Sequence, residues 1–214
     1  MGDQQSVVHL LRHGEVHNPE RVLYGRLPGY RLSNLGERMA EMVADSLADR
    51  DIAAVVSSPL ERAQQTAEPI ARAHGHSIHT EPLAIEAENV FEGERVSVGD
   101  GVLRQPRTWK HLWNPFRPSW GENYDVVAER MRRAVMNAKD AADGREAVLV
   151  SHQLPIWIAR LSAEGRRLWH DPRSRQCTLA SLTSLRFKGD ELVSIEYSEP
   201  ARSLLAEASK IAGA

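Results

Sequence analysis

The chain has 214 residues, 42% hydrophobic and 26% charged, with Lys+Arg of 27 against Asp+Glu of 29 for a formal charge of -2. That balance suits one globular domain with a substantial core and excludes a broadly basic surface made for nucleic acid or an anionic membrane. The lone Cys177 cannot close an internal disulfide, no apolar stretch reaches about 18 residues, and no cationic segment leads into an apolar one, so a cytoplasmic protein is expected.

Val7-Val8-His9-Leu10-Leu11 predicts a buried strand that runs without a linker into Arg12-His13-Gly14-Glu15. Gly14 lets the chain turn sharply and leaves His13 uncrowded. Residues 16–34 form a long loop rich in Gly, Pro, Asn and Arg, which favours a binding role and makes Gly25 and Arg26 candidate substrate contacts. Ser33 predicts a helix N-cap, with Leu35, Met39, Met42, Val43 and Leu47 on one face and an end near Arg50.

Ala53 to Ser57 predicts the second strand. Ser58, Pro59 and Glu61 then spell a capping box for a helix that reaches Gly75, with a kink at Pro69. Arg62 falls in its first turn, and because helical side chains lean toward the N-terminus its guanidinium should point to the strand ends. Ser77 to Thr80 predicts a short strand. His74, His76 and His79 read as an exposed turn and strand rather than a metal site.

From 87 to 121 periodicity disappears. This stretch is expected to be an irregular, cap-like excursion whose Trp109, Trp113, Phe116 and Trp120 either pack it down or wall an apolar part of a substrate. Glu122 to about Asp143 predicts an amphipathic helix, Ala147 to Ser151 a third strong strand ending in His152-Gln153, and Leu154 the opening of another helix. Arg166, Arg167, His170, Arg173 and Arg175 read as a solvated basic face. Ser181 to Phe187 and Leu192 to Tyr197 predict a terminal hairpin, followed by a frayed helical tail from Ala201. The alternation implies a three-layer α/β/α sandwich with a mostly parallel sheet, residues 1–214 forming one domain.

Three strand ends therefore carry one kind of residue: Arg12 and His13, then Arg62, then His152. Ligands of parallel sheets bind outside the carboxyl ends of strands, so these groups can converge on an anion, of which phosphate is the obvious one.

At this point the sequence resembles a known family. Leu11-Arg12-His13-Gly14-Glu15 with Asn18, Leu32-Ser33 with Gly36, Ser57-Ser58-Pro59-Leu60-Glu61-Arg62-Ala63 with Thr66-Ala67, and Val150-Ser151-His152 resemble the histidine phosphatase superfamily, the phosphoglycerate mutase-like family. The resemblance implies a phosphoglycerate mutase-like fold and a covalent phosphohistidine mechanism without metal or other cofactor. By position, His13 is implied as the nucleophile, Arg12, Arg62 and His152 as holders of the phosphoryl oxygens, and Asn18 as a further phosphate contact. Glu86 is implied as the acid that protonates the leaving oxygen and then activates water. Gln153 stands where the family commonly has glycine, at the mouth of the pocket, and counts as a substrate contact.

Elementary chemistry fits these roles. Histidine attacks phosphorus only as neutral imidazole, and Arg12 and Arg62 favour that form. The same cations should lower the pKa of Glu86, so it is expected to act as an acid mainly once a phosphate dianion is bound. The partner implied is a small phosphorylated substrate, with a homodimer left open. Hydrolysis of a phosphomonoester is the leading expectation. A phosphoglycerate mutase primed by bisphosphoglycerate and a catalytically idle phosphate sensor are the alternatives.

Overall fold

The computed structural model describes residues 5–94 and 121–208. The central part of the expected excursion, with Trp109, Trp113, Phe116 and Trp120, lies outside the described residues.

Four parallel strands, β1 (Gln5–Arg12), β2 (Ile52–Ser57), β3 (Ile78–Thr80) and β4 (Glu146–Ser151), continue into an antiparallel hairpin, β5 (Leu182–Lys188) and β6 (Glu191–Ser198). Their order is β3-β2-β4-β1-β5-β6, with β1 pairing β4 in parallel and β5 antiparallel. Side chains alternate across each strand, so one sheet makes two cores. On one face Leu11, Val55, Val148 and Val150 pack with Met39 and Val43 of α1 (Asn34–Leu47) and Ala67 and Ile70 of α2 (Glu61–His74). On the other, Val8, Leu10, Val56 and Leu149 pack with Val127 and Met131 of α3 (Tyr124–Ala141) and Ile156 and Ile158 of α4 (Gln153–Ala163). Ala147 to Val150 are wholly buried, as befits a parallel strand covered on both faces. The α/β/α sandwich and the mostly parallel sheet expected from the sequence are what the chain forms.

Some local expectations are corrected. Ser33 does cap α1, accepting from the Gly36 amide at 3.0 Å. The capping box at Ser58 does not form: α2 begins at Glu61 behind Leu60, without a side-chain cap. The Ser58 hydroxyl turns instead to a buried ring nitrogen of His152 at 2.8 Å, a partner that local sequence cannot reveal. At α3 the cap is Asn123, whose side chain accepts from the Asp125 amide, so the helix starts two residues later than expected. Among the described residues, the tail from Ala201 makes a single 3-10 turn, Arg202–Leu204, in place of the expected helix.

The sheet order puts the carboxyl ends of β2, β4 and β1 side by side. Backbone bonds lock their exits together, with Ser58 N–H donating to Val150 O at 2.9 Å and His13 N–H to Ser151 O at 3.1 Å.

Further along the sheet, buried His9 reaches the Ser184 hydroxyl at 2.8 Å and Glu146 at 3.0 Å, while Arg50 donates twice to the same carboxylate. Burial pushes the Glu146 carboxyl up, but hydrogen bonds and charge from His9 and Arg50 outweigh it and hold it at about 2. A carboxyl held below its unfolded value contributes stability above that value and loses it as pH falls toward the folded value. Urea unfolding should therefore show a smaller loss of stability between about pH 5 and about pH 2.5 in Glu146→Gln than in the natural protein. Equal losses would contradict this account of the network.

Candidate active site

His13 leaves the end of β1 fully buried. Its Nδ1–H donates to the Gly14 carbonyl at 2.8 Å, which leaves the Nε2 lone pair without a partner among the described residues. Burial lowers its pKa well below the ordinary histidine value. Arg62 and Arg12 add to the effect, against a smaller opposing pull from the Gly14 carbonyl. The cations foreseen from sequence act in the expected direction, but desolvation is the larger cause.

Gly14 owes its place to close approach rather than to unusual backbone angles. A Cβ there would lie 2.5 Å from the Gly36 carbonyl oxygen at the start of α1. Its amide donates to the Thr66 hydroxyl at 3.1 Å, and that hydroxyl donates to Arg62 O at 2.7 Å, tying the His13 loop to the first turns of α2.

His152 occupies the N-cap position of α4, its ring centroid 5.2 Å from that of His13. Burial, then Arg62, His13 and Arg12, keep it neutral. We assign the tautomer in which Nε2 accepts from the Ser58 hydroxyl. Nδ1–H, which has no partner among the described residues, is then one donor for an anion.

Arg12 donates from Nη1 to the Cys177 carbonyl at 2.8 Å. Arg62, 1% exposed, donates from Nη2 to the Gly25 carbonyl at 2.6 Å, and its guanidinium carbon lies 4.7 Å from the centroid of the buried Tyr24 ring. Both keep Nε unpartnered, and neither pairs with a carboxylate among the described residues. A buried cation without a counter-charge is costly, so this pair is prepared for an anion.

Glu86 follows the 3-10 turn Pro82–Ala84 and is 4% exposed. Oε1 accepts from the Ala87 amide at 2.8 Å, and Oε2 has no partner among the described residues. The cations do pull its pKa down as expected, but they do not set the net direction. Burial raises it and exceeds the opposing pull of the Ala87 amide, Arg62, Arg175 and Arg12. Burial thus shifts this carboxyl toward its protonated form before any ligand binds.

The segment carrying Glu86 is held from three sides. Ser151 Oγ donates to Ala84 O at 2.7 Å, and Arg130 donates to Leu83 O and Ile85 O while pairing with Glu122. Arg26, named from sequence as a substrate contact, donates to Glu86 O at 2.7 Å and pairs with Glu88 and Glu122, so each guanidinium nitrogen is engaged with this segment. Gly25 serves Arg62 through its carbonyl. At φ +37 it has no room for a side chain, since a Cβ would strike the Glu92 carboxylate. Asn18 closes its own loop, accepting from Val22 N–H at 3.1 Å and donating to Val22 O at 2.8 Å. Gln153 donates to Cys177 O at 3.2 Å, the same carbonyl that Arg12 uses.

Arg12, His13, Arg62, Glu86 and His152 thus form one electrostatic group, whereas Asn18, Gly25 and Arg26 are engaged in shaping the loops around it. The sequence reading passed over four contributors. Arg130 sits three residues after Val127 and four before Ala134, within the apolar stripe of α3, a signal available in the pattern. Ser58 and Tyr24 gave none beyond their motifs. Arg175 belongs to the run read as solvated, yet it is partly buried and its charge reaches Glu86.

The sequence model described as the histidine phosphatase superfamily (branch 1) matches residues 8–199. Uncharacterized protein Rv0525 of Mycobacterium tuberculosis is 57% identical over 198 residues, covering 92% of this chain and 98% of that one. A probable phosphoglycerate mutase GpmB of Photorhabdus laumondii is 31% identical, covering 81% of this chain and 82% of its own. Among solved structures, Bacillus stearothermophilus YhfR matches with a TM-score of 0.73 at 24% identity, over 89% of this chain and 96% of that one.

Histidine 15N NMR at about pH 6 should find His13 neutral with its proton on Nδ1, because burial and two guanidiniums oppose the charge. A cationic His13 at that pH would contradict the geometry.

Proposed function

From the premise that the chain belongs to the histidine phosphatase superfamily, we propose that it hydrolyses a small phosphomonoester through a phosphohistidine at His13. The observation that carries the reading is that Arg12 Nε, His13 Nε2, Arg62 Nε, Glu86 Oε2 and His152 Nδ1 are all buried without a hydrogen-bond partner among the described residues. Two guanidiniums, a nucleophilic lone pair, a neutral imidazole and a carboxyl whose proton is favoured by burial suit a transferring phosphoryl group and its leaving oxygen.

In the first step His13 Nε2 attacks phosphorus and the ester P–O bond breaks. The electron pair leaves on the alcohol oxygen, which takes the Glu86 proton. Nδ1–H stays on the ring, where the Gly14 carbonyl stabilises the cationic phosphoimidazole. Arg12, Arg62 and the His152 N–H hold the equatorial oxygens. In the second step Glu86, now a carboxylate, takes a proton from water as it attacks. The P–N bond breaks, its electron pair returns to Nε2, and inorganic phosphate departs.

A mutase reading has support in the relatives named as probable phosphoglycerate mutases. It differs in starting from a His13 phosphorylated by bisphosphoglycerate and in the acceptor, a hydroxyl of the bound phosphoglycerate taking the phosphoryl group in place of water.

The test is phosphate release from a panel of phosphomonoesters without added metal, comparing the natural protein with His13→Ala and Glu86→Gln. The natural protein should release phosphate and His13→Ala should not. Glu86→Gln should be slower by about 10²–10⁴-fold on esters with poor leaving groups. Because Glu86 is raised and His13 lowered, kcat/KM should be highest at mildly acidic pH and fall as the free acid deprotonates, a limb that Glu86→Gln loses. Transfer between hydroxyls without phosphate release would select the mutase. Neither activity across the panel would overturn both readings.

A further inference from the structure

The cavity beside Glu86 holds a cation that the phosphoryl centre does not account for. This cavity, of about 120 Å³, is lined by Leu23, Ala87, Tyr124, Leu154 and Arg175 together with Glu86. His13, Arg12 and Arg62 do not line it. On the phosphatase reading, an ester whose leaving oxygen takes the Glu86 proton would extend its alcohol part into this neighbouring cavity.

Its other charged walls, Glu88 and Glu122, are already neutralised by Arg26 and Arg130. Arg175 has no carboxylate partner among the described residues and is instead held by neutral groups. Its Nε donates to His170 Nε2 at 2.9 Å. His170 can accept there because its Nδ1–H donates to Leu168 O at 2.7 Å, and the ring is fixed by stacking on Tyr124 and an edge contact with Trp157. Arg175 Nη1 donates to Gln153 Oε1 at 3.4 Å, and Gln153 is itself bonded to Cys177 O. Nη2 has no hydrogen bond among the described residues.

A guanidinium aligned by two neutral side chains keeps its full charge and a free N–H edge, in a site where burial already makes the charge costly. The missing counter-charge is best supplied by a ligand. We propose that Arg175 is a specificity-determining residue that recognises a carboxylate on the alcohol part of the phosphate ester, with His170 and Gln153 as its positioning residues. The proposal rests on the phosphatase reading for the placement of the ester.

The experiment uses two esters alike but for one group, 3-phosphoglycerate with a carboxylate and glycerol 3-phosphate with a hydroxymethyl in its place. Arg175→Met should raise KM for 3-phosphoglycerate by roughly ten- to a hundredfold more than for glycerol 3-phosphate. Arg175→Lys, which keeps the charge without the fork, should fall between. An equal rise for both esters would place Arg175 on the phosphoryl group and overturn the proposal, as would no rise for either.

Calorimetric binding of both esters to His13→Ala, with and without Arg175→Met, separates this proposal from the phosphatase reading. Preference for 3-phosphoglycerate that disappears in the double variant supports the subsite even if the natural protein hydrolyses neither ester. Equal binding of the two esters overturns it even if hydrolysis is observed.

Discussion

The structure turns on two guanidiniums, Arg12 and Arg62, buried beside a neutral imidazole with no carboxylate partner among the described residues. Removing a cation from water is costly, and an anionic side chain would have been the simple remedy. The fold instead holds each arginine by carbonyl oxygens, Cys177 O and Gly25 O, and sets the Tyr24 ring against Arg62. Carbonyl dipoles and a ring face stabilise the cations without cancelling their charge. The field that remains favours an anion at one place, between His13 and His152.

Burial there does two things at once. It disfavours every charged form, so it lowers His13 and raises Glu86, moving the imidazole toward its neutral form and the carboxyl toward its protonated one. The arginines assist the first shift and resist the second. Desolvation outweighs them at Glu86 because the carboxyl is almost wholly enclosed by Ala87, the Arg130-supported turn and the Ser151 bond to Ala84. Arg130 and Arg26 thus act on the chemistry at a distance, by fixing the backbone from which the acid projects.

Much of this was legible in the sequence for a definite reason. Strand period, helix period and the positions of Arg12, His13, Arg62 and His152 at strand exits are local facts, and the parallel-sheet rule converts them into proximity. What escaped is non-local. Ser58 fits a capping box locally, but the sheet order places His152 within its reach, and the hydrogen bond to the buried ring prevails over the cap. Arg175 reads as one more surface cation until the chain folds it beside Glu86. The pKa direction of Glu86 was misjudged because nearby charges can be counted from sequence, while the degree of enclosure cannot.

The central claim is that the phosphoryl group passes through His13. Rapid quenching of the protein into base during turnover of a 32P-labelled ester, followed by peptide mapping, addresses it most directly. The account predicts an acid-labile, base-stable label on the peptide holding Arg12-His13-Gly14, absent in His13→Ala and accumulating in Glu86→Gln with an activated ester whose leaving group needs no proton. Phosphate release with no label on that peptide, or with the label on His152, would contradict it.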